Sequence, residues 1–105
     1  MTDNKTVDTF DVGLSPAQYE RLALLLEEMG EATQVIGKIL RHGYDSSHPC
    51  DPQNTTNRWL LEKELGDVRH AMVRLCEAHD VDKEAIHRYA DAKRKSVKKW
   101  LHHNE

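Results

Sequence analysis

Apolar residues recur at Tyr19, Leu22, Leu26, Met29, Ile36 and Leu40, with Thr33 keeping the step. That three-to-four spacing predicts an amphipathic helix. Ser15 is placed to cap it, Pro16 suits its first position and Gln18 completes a capping box, while Gly43 ends it after His42. The following stretch, YDSSHPCDPQNTTN, reads as a long loop because Pro, Ser, Asp and Asn interrupt every periodicity. Thr55 or Thr56 then caps a second helix carrying Leu61, Leu65, Val68, Met72 and Leu75 and ending near His79. A third helix starts around Asp82 and continues through Ile86, Tyr89, Ala90, Val97 and Leu101. No segment alternates as a strand does, so the predicted fold class is all-α, three helices in a hairpin-based bundle. Residues 1–14 lack periodicity and predict a flexible N-terminal arm, leaving 15–105 as one domain.

Composition changes the picture in one respect. The chain has 105 residues, of which 38% are hydrophobic and 31% charged. A domain of this size hides only about two-thirds of its unfolded surface, so little core is available to a lone chain. The expectation is a core completed by self-association, as a homodimer or homotetramer. No apolar run approaches the ~20 residues needed to cross a bilayer. The opening MTDNKTVDTFDVG has no signal-peptide core, which predicts a cytoplasmic protein. A net charge of -3 argues against nucleic acid as a partner. Cys50 and Cys76 form no CxxC and read as a loop thiol and a small buried residue.

The candidate chemistry lies in carboxylates. The first helix carries LLLEEMGE at 24–31 and the second LLEKELGD at 60–67; overlaid, Glu28 matches Glu64, Gly30 matches Gly66 and Glu31 matches Asp67. The i, i+3 spacing sets each acidic pair about 60° apart on one face. A mid-helix Gly costs about 1 kcal/mol relative to Ala, and both helices accept it at the same relative position. Close backbone approach or room for a ligand would account for that. In an antiparallel hairpin the two acidic pairs meet beside the glycines. Four converging carboxylates repel unless a cation intervenes, and an all-oxygen set suits Mg²⁺, or Mn²⁺, better than zinc. The blander account is a solvated acidic face with pairs such as Glu28 and Lys63.

EEMGE at 27–31 followed by ELGD at 64–67 resembles the EExxE…ExxD signature of the MazG-like all-α nucleoside triphosphate pyrophosphohydrolases. The resemblance spans about residues 15–100 and is nearest to the small single-domain members of bacteria and their phages. The gap between the motifs is longer than the family usually shows, because of the 43–57 loop. The resemblance implies hydrolysis of a nucleoside triphosphate to the monophosphate and pyrophosphate, by water attack at the α-phosphorus. It also implies that Glu28, Glu31, Glu64 and Asp67 bind Mg²⁺. Glu27, about 100° from Glu28 on the helix, becomes with Glu28 the candidate catalytic pair, able to orient or deprotonate water.

Cations must meet the remaining phosphate charge. Lys95 and Lys98 share a face of the basic run Lys93–Lys99 and are candidates to reach a β- or γ-phosphate, as late-helix basic residues do in the family the chain resembles. The family often has an Asn here and this chain has Ser96 nearby, so no exact equivalent is assigned. Lys38 and Arg41 are further phosphate candidates, and Trp59 is the candidate to stack on a base. Two other readings compete. Asp67 and His70 give an acid and a histidine at i, i+3, as in di-iron carboxylate bundles, but Gln34 stands at the matching place on the first helix. A non-enzymatic interaction module could use the basic third helix, yet it would not need the acidic quartet. His79-Asp80 resembles a metal-phosphohydrolase dipeptide without its other ligands.

Overall fold

Local signals account for each helix end in the computed structural model, which describes residues 11–103. The Ser15 hydroxyl accepts from the Gln18 amide at 3.1 Å, and the Gln18 side chain accepts from the Ser15 amide at 2.8 Å. This capping box opens α1, Pro16–His42. Gly43 closes α1 at φ +90°, its N–H donating to the Ile39 carbonyl at 2.7 Å. A side chain there would be strained. Residues 1–10 of the expected N-terminal arm lie outside the described residues.

The loop after Gly43 is cross-linked by its own polar groups. Asp51 accepts from the amides of Gln53 (2.9 Å) and Thr55 (2.8 Å), which hold its carboxyl below the usual aspartate range. Asn57, the buried polar residue of the hairpin, donates through Nδ2 to the Gly43 carbonyl at 3.1 Å. Its backbone N–H reaches Ser46, that of Arg58 reaches Tyr44, and Ser47 and Thr56 form an isolated bridge. The Arg58 guanidinium lies over the Tyr44 ring and pairs with Asp45. Thr56, rather than Thr55, caps α2, Asn57–Glu77, by accepting from the Trp59 amide at 3.1 Å. The helix stops two residues before His79, which takes φ +61° in the turn.

Helices α1 and α2 form an antiparallel hairpin, tied near its open end by Arg21 and Asp80 at 2.6 and 3.0 Å. Its buried apolar residues are Ala32 and Val35 from α1 and Ala71 and Leu75 from α2, flanked by half-buried Leu24, Leu25, Ile39, Leu61 and Val68. Small alanines on both sides let the helices approach. The residues whose periodicity announces α1 are therefore not its buried face: Leu26 is 73% and Leu40 82% exposed.

Asp82 caps α3, Lys83–Ser96, accepting from the Glu84 amide at 3.0 Å. The α-helix does not continue to Leu101. It tightens into a 3-10 turn at Val97–Trp100. Among the described residues there is no strand, and no helix is long and apolar enough to cross a membrane.

Candidate metal centre

The buried side of the hairpin follows positions 28, 32, 35 and 39 on α1 and 57, 64, 68, 71 and 75 on α2, so two of its places are filled by glutamates. Glu28, Glu64 and Asp67 each present an oxygen within 4.8 Å of the others, and all three are half-buried. Glu28 Oε1 and Glu64 Oε1 are shielded from solvent and accept no hydrogen bond. Two orphaned oxygens in one cluster are costly, because shielded acceptors lose water without replacement. Loss of solvent pushes the Glu28 carboxyl up first; a hydrogen bond shared with Glu31 and the charges of Asp67, Glu31 and Glu27 push it the same way.

Of the four carboxylates expected to converge, Glu31 stays exposed at the edge, outside the triad, and its charge bears on Glu28. Glu27 is exposed beside it and contributes charge rather than contact. Lys63 fills a role the motif comparison does not assign. Its ammonium lies 2.9 Å from Asp67, and that bond together with the charges of Asp67, Glu64 and Glu31 raises its pKa. The signal for it is its i, i+4 spacing to Asp67, which alone looks like an ordinary surface pair.

The glycines do not bring the two helices together. A Cβ at Gly30 or Gly66 would meet nothing within 4 Å, since each lies two residues from an inward glutamate and faces outward. Space within the hairpin comes from Ala32 and Ala71 instead.

Lys38, Arg41 and Trp59 come together. With Asn57, Thr55 and His48 they line a cavity of about 610 Å³ between the end of α1, the loop and the start of α2. Lys38 lies seven residues beyond Glu31, about 10 Å along the helix. Lys95 and Lys98 do not join them within this chain: Lys95 pairs with Asp91 at 3.3 Å, and α3 carries both away from the hairpin. His70 is exposed and outside the triad, which leaves the di-iron reading without its nitrogen ligand. Asp80 is engaged by Arg21, so His79-Asp80 is a turn element. Cys50 is an exposed free thiol and Cys76 a half-buried one.

A hard divalent cation fits these residues. The donors are all carboxylate oxygens, two of them lack any partner, and the triad is small enough for one ion to touch each member. The cavity, with Lys38, Arg41 and Trp59 in its walls, is able to hold an anionic group by charge and a planar group against an aromatic face. No protein-family model, curated protein or solved structure gives a significant match to the chain.

Proposed function

We propose that the chain is a Mg²⁺-dependent nucleoside triphosphate pyrophosphohydrolase of the MazG-like kind, releasing a nucleoside monophosphate and pyrophosphate. The observation that carries this reading is the pair of shielded, unpartnered oxygens of Glu28 and Glu64 within one triad. A surface acidic face solvates its oxygens, whereas this pair offers two shielded, unpartnered oxygens to a cation.

In this reading Glu28, Glu64 and Asp67 hold the ion and Glu31 closes its exposed edge. A Mg²⁺ held there would supply positive charge for the polyphosphate and lower the pKa of a water. Glu27, exposed next to the cluster, orients that water and takes its proton on the carboxylate. Lys63 holds Asp67 in place and offsets the negative charge of the cluster. The cavity takes the nucleoside end: Trp59 offers an aromatic face and Asn57 a polar edge, while Lys38 and Arg41 meet phosphate oxygens.

Glu64→Gln tests the reading. It removes one charge, keeps the shape and leaves helix content unchanged by circular dichroism. The expected result is loss of Mn²⁺ binding by calorimetry and a fall in triphosphate hydrolysis of about 100-fold or more. Hydrolysis that survives in the folded variant refutes the site.

A further inference from the structure

The two acidic segments, 24–31 on α1 and 60–67 on α2, carry opposite charges at one matching place, where Glu27 corresponds to Lys63. Each stands four residues before the last acid of its segment, Glu31 or Asp67, and so one turn away on the same side of its helix. On α1 that step sets an acid beside an acid. On α2 it sets the Lys63 ammonium 2.9 Å from Asp67 Oδ2, with the charges of Glu64 and Glu31 also acting on it. The side chains of Lys63 and Asp67 are 53% and 37% exposed, whereas Glu28 and Glu64 each shield an oxygen from solvent. Lys63 therefore lies on the open side of the cluster, where Glu31 is also exposed.

Given the metal site proposed above, we infer that the Lys63 ammonium holds the place of a second divalent cation, so that the cluster takes one such ion per chain. The three triad oxygens lie within 4.8 Å of one another, which leaves room for one ion among them. A second ion, about 3.5–4 Å from the first as in two-metal sites, would have to bind Asp67 on its open side. There Oδ2 already faces Lys63. Like charges a few ångströms apart repel, most strongly where solvent is partly excluded. An isolated pair of this spacing would only tie two surface side chains together. This one ends on a member of the triad, with Glu64 and Glu31 in range of the same ammonium. An ammonium has three N–H donors, so Lys63 keeps donors to spare for a phosphate oxygen, the contact a second ion would have made.

Counting ions tests this without nucleotide or turnover. Calorimetric titration with Mn²⁺ is expected to give about one ion per chain for the native protein and for Lys63→Arg, which keeps the positive charge. Lys63→Gln, with helix content unchanged by circular dichroism, is expected to give about two. Electron paramagnetic resonance of Mn²⁺-loaded Lys63→Gln is expected to show the spin coupling of two neighbouring ions, which the native protein lacks. Two coupled ions in the native chain or in Lys63→Arg, a single ion in Lys63→Gln, or a second ion that is uncoupled overturns the inference and leaves the metal site standing. A native chain that binds no Mn²⁺ overturns both.

Discussion

Glu28 carries a cost to the fold of the metal-free chain. Its carboxyl lies above the usual glutamate range because of lost solvent and acidic neighbours, so the folded chain holds that proton more tightly than the unfolded chain does. Stability from this group therefore falls as pH rises from about 4.3 through the folded value, and the deficit persists above it. Glu28→Gln is expected to raise the unfolding temperature of the metal-free protein at pH 7 and to weaken stabilisation by Mn²⁺. Thermal unfolding with and without metal checks both. Asp80 has the opposite sign. Held below its usual range by Arg21, it contributes stability that is present above about pH 3.9 and lost as pH falls through its folded value. Asp80→Asn is expected to lower the unfolding temperature by a few degrees at neutral pH, with the difference fading in acid. Gly66 faces open space on α2, so Gly66→Ala is expected to add about 0.5–1 kcal/mol in urea unfolding.

At the scale of the elements, what is legible in the sequence is what is locally encoded. Ser15 with Gln18, Gly43 and Asp82 act through bonds to residues two to four positions away, and all three serve where their chemistry puts them. The choice between Thr55 and Thr56 depends on loop geometry, because Asp51 takes the Thr55 amide and leaves Thr56 to cap. Periodicity reveals α1 but not its inner side. The helix carries a row of large apolar residues and a row through Ala32 and Val35, and the hairpin buries the smaller row because it permits closer packing. Acidic residues at matching places on two helices are visible in sequence as a cluster, whereas the outward direction of the glycines and the place of Lys63 depend on how the helices turn toward each other. Two substitutions test the loop's part in holding α2. Thr56→Ala is expected to cost about 1 kcal/mol through loss of the cap. Asn57→Ala is expected to cost about 1–3 kcal/mol, because the Gly43 carbonyl loses its donor. Chemical denaturation measures each.

For the whole molecule, the α1–α2 hairpin is the unit on which the proposed function rests. It carries the carboxylate triad along its buried side and the cavity at its closed end, and the loop that pins the helices also walls the cavity. Helix α3 extends from the Arg21–Asp80 end with its basic run away from both, so the hairpin residues alone account for metal and nucleoside contacts in the proposed reaction. The measurement that bears most directly on this account is product analysis of the purified protein with Mg²⁺ against ribo- and deoxyribonucleoside triphosphates and damaged analogues. The account predicts metal-dependent release of pyrophosphate and a nucleoside monophosphate from at least one of them. Orthophosphate with a diphosphate, or no turnover of any nucleotide by the folded protein with either Mg²⁺ or Mn²⁺, would contradict it.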